Sequence, residues 1–159
     1  MARRGQAVRR KVSPDPVYGD AVLAKFINRS MRDGKKGAAR RQVYEALEII
    51  AAKTKKNPTS VFLEAIEAVK PSMEVRSRRI GGAAYQVPNP VRGSRKESLA
   101  IRWMIAAARA RDNSEFKTYG DKLAAEILDA VNGEGGAVKK KQEMEKMAEA
   151  NRAFSHFRW

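Results

Sequence analysis

The sequence predicts a mainly α fold: a six-helix domain with a protruding two-stranded antiparallel β-hairpin. Two observations carry this expectation. Apolar residues recur at helical spacing in six segments, each set off by capping residues, prolines or glycines. A single stretch breaks the pattern: "EVRSRRIGGAAYQV", residues 74–87, reads as a strand, a Gly81-Gly82 turn and a second strand.

The first helix follows the proline-rich entry "SPDPVYGD", with Asp20 placed as its N-cap. Val22, Leu23, Phe26, Ile27 and Met31 fall on one side, while Lys25, Arg29 and Arg32 fall mainly on the other. Gly34 ends it. The second helix puts Ala39, Val43, Ala46, Leu47 and Ile50 on one face. In the third, Asn57 caps, Pro58 fits the first helical position, and Pro71 stops the helix. Phe62, Ile66 and Val69 face inward.

The fourth helix begins after "PNPVRGS", where Ser94 and Glu97 have capping-box spacing. Its expected core stripe is Leu99, Trp103, Ala106, Ala107 and Ala110. The fifth runs from about Ser114 with Phe116, Leu123, Ile127 and Val131, and Gly133 serves as C-cap. The sixth starts at "GGAVKKKQ", with Val138, Met144, Met147 and Ala148 in phase and Lys139, Lys140 and Lys141 on a solvated face. The final "SHFRW" has too little pattern to assign.

The hairpin, at about residues 73–88, differs from its surroundings. Gly81 and Gly82 supply the positive φ angles of a two-residue turn, although a longer loop through Ala83-Ala84 is equally allowed. Alternation along "MEVRSRRI" separates Met73, Val75, Ser77 and Arg79 from Glu74, Arg76, Arg78 and Ile80. Neither set is apolar enough for a buried sheet surface. An isolated ribbon is marginal in water, so this one leans on helices or on a partner.

Charge narrows the function. The 159 residues carry a net charge of +15, with 33 Lys and Arg against 18 Asp and Glu. Residues 1–12 hold +5, residues 25–41 hold +6 and residues 70–96 hold +6, which leaves −2 for the other 103. Three positive segments on a near-neutral background imply a focused polyanionic partner, and nucleic acid in particular. A membrane-surface helix would set a basic face against an aromatic and leucine face, whereas this charge lies on an arm and a hairpin. The sequence divides into a basic N-terminal arm, residues 1–12, and one helical domain, residues 13–159. No run reaches the length of a membrane span, and no membrane or homo-oligomeric partner is expected. The absence of cysteine removes disulfides and thiolate metal sites and fits a reducing compartment.

Arginine binds phosphate through two parallel N–H groups and stacks on bases, so the hairpin residues Arg76, Arg78 and Arg79 are candidate contacts, with Tyr85 as a stacking surface. In the arm, Arg3, Arg4, Arg9, Arg10 and Lys11 are expected to order on a nucleic-acid surface. Lys35 and Lys36 cluster with Arg29 and Arg32 around Gly34. Catalysis finds little support. His156 is the only histidine and has no partner at fixed spacing, the carboxylates sit beside lysines on helix surfaces, and "GEGG" at 133–136 lacks the lysine of a phosphate loop. Neither an enzyme nor a cofactor is expected.

Residues 74–109, "EVRSRRIGGAAYQVPNPVRGSRKESLAIRWMIAAAR", resemble the hairpin and following helix of the bacterial ribosomal protein seven family of the small subunit. "DAVLAKFINRSMRDGKKGAARRQVYEAL", residues 20–47, and "KMAEANRAFSHFRW" are similar to that family's other characteristic segments. The resemblance implies a structural constituent of the small subunit, working in the cytoplasmic ribosome. It further implies binding to the 3′ major domain of small-subunit rRNA, nucleation of head assembly, and a hairpin near exit-site tRNA and mRNA. Small-subunit proteins nine and eleven are the neighbours it implies. The arm, Lys35, Lys36 and the basic ribbon match the family's RNA-facing regions, and the resemblance implies individual contacts at Arg76, Arg78, Arg79, Arg92 and Arg95. A DNA-architectural protein with a basic β-arm is the alternative, in which Pro88 and Pro90 near the ribbon act as minor-groove wedges.

Overall fold

The computed structural model describes residues 12–158. Six α-helices, a two-stranded sheet and a terminal 3-10 helix succeed one another: α1 (Ala21–Ser30), α2 (Lys36–Thr54), α3 (Pro58–Val69), β1 (Met73–Ile80), β2 (Ala83–Pro90), α4 (Gly93–Ala110), α5 (Tyr119–Val131), α6 (Gly135–Ala150) and the 3-10 helix Arg152–Phe157.

Local chemistry accounts for several boundaries. The Asp20 carboxylate accepts from the Leu23 N–H at 2.6 Å and opens α1. Asn57 accepts from the Thr59 N–H at 3.0 Å, and Pro58 occupies the first turn of α3, where its missing N–H costs nothing. Lys70, before Pro71, turns to extended backbone as the proline ring requires. At the end of α5, Gly133 takes φ +81° and lets the Glu134 N–H reach back to the Asp129 carbonyl at 2.8 Å. The entry segment is pinned by Asp15, whose buried carboxylate accepts from the Tyr44 hydroxyl at 2.8 and 3.0 Å.

Three helix assignments are corrected. α4 starts at Gly93 with Arg92 as N-cap and no side-chain cap, so Ser94 lies inside the helix; Glu97 instead pairs with Lys25 of α1 at 2.8 Å. The core phase of α4 is Ala100, Ile101, Met104, Ile105 and Ala108 with Leu99, while Trp103 is half-buried and Ala106 and Ala110 are exposed. Two β-branched and one thioether side chain fill more space than alanines, and the neighbouring helices select that phase. α5 starts at Tyr119, not near Ser114, because Thr118 and Asp121 form a reciprocal capping box. On α6, Met147 is exposed, and Lys141 is not solvated freely: its ammonium donates to the Ala68 carbonyl at 2.9 Å.

α5 lies centrally, in contact with α2, α3, α4 and α6. Phe26 of α1 and Phe62 of α3, both fully buried, meet edge-on with ring centroids 5.3 Å apart. α6 has no cap of its own. Glu126 of α5, 1% exposed, supplies one by accepting from the Ala137 N–H at 2.8 Å while also accepting from Arg111 Nε at 2.8 Å. A Cβ on Gly135 would come within 2.9 Å of that Glu126 oxygen, and its φ of +91° also demands glycine.

β1 and β2 pair antiparallel from Met73 opposite Pro90 to Ile80 opposite Ala83. Gly81 and Gly82, at φ +58° and +91°, make the two-residue turn, and the longer loop does not form. Counting from that turn, Pro88 and Pro90 fall in non-hydrogen-bonded pairs, where an N–H would point away from β1. The ribbon therefore keeps its ladder, and its outer edge lacks donors that another strand would use. The ribbon is also less of a free arm than its first strand suggests. Val87, Pro88 and Val91 are buried, and the base packs on α6 while β2 packs on the 3-10 helix. The apolar residues come from β2, so the alternation of β1 alone understated the buried surface. Residues 81–84 at the tip are exposed.

Candidate nucleic-acid interface

Arg95, Arg102 and Arg109 stand seven residues apart on α4. Seven residues turn a helix to within 20° of two full turns, so the three share one face along about 21 Å of axis. They link three parts of the surface.

At the N-terminal end of α4, Arg95 meets the base of the ribbon. Its Nε donates to Glu74 Oε2 at 2.6 Å, and Arg76 Nε donates to Glu74 Oε1 at 2.6 Å. The Glu74 side chain is 5% exposed, against 57% for Arg76 and 47% for Arg95. Burial alone would raise the pKa of this carboxyl; hydrogen bonds from Arg95 and Arg76 outweigh it and hold the group below its ordinary value.

Mid-helix, Arg102 lines a groove of about 400 Å³ with Arg29 and Asn28 of α1 and with Arg109. At the C-terminal end, Arg109 enters a second cleft of about 430 Å³, between the α1–α2 turn and the start of α5. Arg32, Lys35, Lys117 and Lys122 also line it. Its floor is fixed by the Ser30 and Tyr119 hydroxyls at 2.9 Å and by Arg109 Nη2 donating to the Ser30 carbonyl at 2.9 Å. Burial raises the Tyr119 pKa above that of a free phenol, so the hydroxyl stays protonated. Lys122 is held by the Arg111 carbonyl and Asn113 at 2.5 and 2.6 Å. Seven cations line the two concavities and no carboxylate does, among the described residues. Concave, one-sign, low-dielectric surfaces of this kind concentrate anions.

The expected site residues distribute unevenly over this surface. Lys35 faces the second cleft, whereas its neighbour Lys36 lines a separate hollow of about 190 Å³ beside Asp15 and Arg40. Arg92 is exposed at the N-cap of α4. Arg78 stands opposite Tyr85 in the ribbon, and Arg79 Nε reaches the Gly82 carbonyl at 3.4 Å near the exposed tip. The Tyr85 ring is engaged within the protein, 5.3 Å from Phe154 and 5.5 Å from Phe157. Arg3, Arg4, Arg9, Arg10 and Lys11 lie outside the described residues. Sequence reasoning missed Arg102, Arg109, Lys117 and Lys122. The seven-residue arginine spacing could have revealed the first two; nothing local reveals the lysines, which join the cleft only when α5 packs against α2.

Comparison with known proteins gives one answer along the whole chain. Residues 2–152 match the model of the family described as ribosomal protein S7p/S5e. The chain is 57% identical to the small ribosomal subunit protein uS7 of Afipia carboxidovorans, over 159 residues and all of both chains. It is 55% identical to that of Xanthobacter autotrophicus and 56% identical to that of Rhodobacter capsulatus, again over the full length of both.

Proposed function

The chain belongs to the ribosomal protein S7p/S5e family, a family of structural ribosomal proteins and not of enzymes, and from that premise we propose that it binds the 3′ major domain of small-subunit rRNA directly and nucleates assembly of the head. In the cytoplasmic ribosome its ribbon lies near exit-site tRNA and mRNA, and small-subunit proteins nine and eleven are its protein neighbours.

The observation that carries the reading is the arginine face of α4 with the two cation-lined concavities it joins. Phosphate neutralisation along this face supplies most of the affinity. The packed helices hold the cations at fixed separations, so that RNA segments distant in sequence dock on one rigid body. The contact residues proposed are Arg76, Arg78, Arg79, Arg92 and Arg95 at the ribbon and α4, and Lys35 and Lys36 at the α1–α2 turn. Arg102 and Arg109 extend this set. The arm residues Arg3, Arg4, Arg9, Arg10 and Lys11 add charge from residues 1–12, outside the single domain proposed for 13–159. Tyr85 serves by holding the ribbon in place, and Gly81 and Gly82 by letting its tip turn.

The test is competition filter binding with a 3′ major domain RNA fragment and duplex DNA of equal length. The RNA is expected to win at physiological salt, with a log–log salt slope of about −0.7 to −0.9 per neutralised phosphate. Equal competition, or preference for duplex DNA, would overturn the proposal in favour of a DNA-architectural protein.

A further inference from the structure

Glu74 is the one acid among the seven basic residues of segment 70–96, and it is buried. A carboxylate there opposes an approaching phosphate, and a buried charge is not needed for stability, since an apolar residue of similar volume commonly does as well or better. Its geometry is specific. Each oxygen takes the Nε of one arginine at 2.6 Å, Arg76 from β1 and Arg95 from α4. Arg76 lays its Nη2 against the same Glu74 oxygen as its Nε. A guanidinium is a planar fork with five N–H donors, so a carboxylate held along the Nε edge still leaves the donors on the far side to point elsewhere. Both arginines remain about half exposed, at 57% and 47%.

We propose that Glu74 is a positioning residue for RNA: it grips Arg76 and Arg95 by their Nε edges and aims the N–H donors on the far side of each guanidinium at the phosphodiester backbone. Two long side chains then lose their rotamer freedom when the protein folds, not when RNA binds. The same grip fixes the ribbon base against α4, which sets the register between the ribbon arginines and the Arg102 and Arg109 face. The inference rests on the reading of this surface as an RNA contact.

Glu74→Gln gives a test in which two accounts differ in sign. Charge alone predicts tighter RNA binding, because the substitution adds one positive charge beside a polyanion. Positioning predicts weaker binding, by about tenfold, the effect of losing one well-placed charged hydrogen bond. The measurement is filter binding of the full chain to the 3′ major domain fragment, for wild type, E74Q, R76A, R95A and the double variants. If Glu74 acts through the arginines, the losses from R76A and R95A shrink in the E74Q background to the part owed to the charge alone. Tighter binding by E74Q, or undiminished arginine losses in its background, overturns the proposal while leaving the RNA reading intact. R76A and R95A that are both silent in the wild-type background overturn the RNA contact at this site and the proposal with it. Where E74Q loosens the ribbon by circular dichroism, R95K replaces it. Lysine keeps the charge but has no Nε edge, so positioning predicts a loss close to that of R95A and charge alone predicts near-native binding.

Discussion

Glu145 of α6 accepts two hydrogen bonds from Ser72, from the backbone N–H at 2.9 Å and from the hydroxyl at 2.7 Å. Ser72 precedes β1, and its carbonyl accepts from the N–H of Val91, which follows β2, at 3.0 Å. One carboxylate thus ties both ends of the ribbon to the C-terminal helix. Replacing Glu145 by Ala is expected to cost about 1.5–3 kcal/mol, the range for a hydrogen bond to a charged group. Hydrogen exchange should quicken at residues 72–75 and 87–91 and stay slow in α2 and α5. The contact also has a pH signature. Burial opposes ionisation, but the Ser72 hydrogen bonds hold the Glu145 carboxyl below its ordinary value. A depressed folded pKa stabilises above the unfolded value of about 4.3 and is lost as pH falls below it. Protection of the ribbon base should therefore be level from pH 7 to 5 and decline only in stronger acid; a decline near neutrality would assign it to another group.

The terminal 3-10 helix buttresses the ribbon through its aromatics. Phe154 and Phe157 lie 6.4 Å apart, and both contact Tyr85. A double-mutant cycle between Tyr85→Ala and Phe157→Ala should show a coupling of about 0.5–1.5 kcal/mol, measured by urea unfolding. Zero coupling would mean that the rings touch without supporting one another.

Arg111 is 18% exposed and pairs with Glu126, whose side chain is 2% exposed, and with Asp129. Arg111→Ala leaves the Glu126 charge buried with the Ala137 N–H as its one remaining hydrogen-bond donor among the described residues, and is expected to cost about 3–5 kcal/mol. The midpoint of urea unfolding should fall accordingly. Adding Glu126→Gln to that variant should restore part of the loss, because the uncompensated charge is then gone.

Arg102 lines the groove between α1 and α4 and makes no ion pair among the described residues. Arg102→Ala should reduce the salt slope of rRNA binding by about 0.7–0.9 and leave the melting temperature within error. Arg109→Ala should reduce the slope equally and also cost some stability, since it removes the bond to the Ser30 carbonyl. Lys140, exposed on α6 and paired with Glu143, is the control. An unchanged slope for both arginine variants would remove the α4 face from the interface.

The sequence by itself determined the fold class, six helices with one ribbon, and those boundaries that depend on a few adjacent residues. Asp20, Asn57-Pro58, Gly81-Gly82 and Gly133 act within four positions of themselves, so their roles are written locally. Three segments of positive charge also announced a polyanion, because formal charge does not depend on folding. Other features depended on partners far along the chain. Glu97 reads as half of a capping box with Ser94 but pairs with Lys25, 72 residues away. Glu126 caps a helix that is not its own. The ribbon base looks too polar to bury until Val87 and Pro88 of its second strand meet α6 and the C-terminal turn. Tertiary packing alone decided that Lys35 and Lys36, adjacent in sequence, line different hollows, and that Glu74 grips arginines from two elements. The physical reason is reach: caps and turns are set by interactions spanning a few residues, whereas buried ion pairs and charged clefts exist only after separate helices have packed.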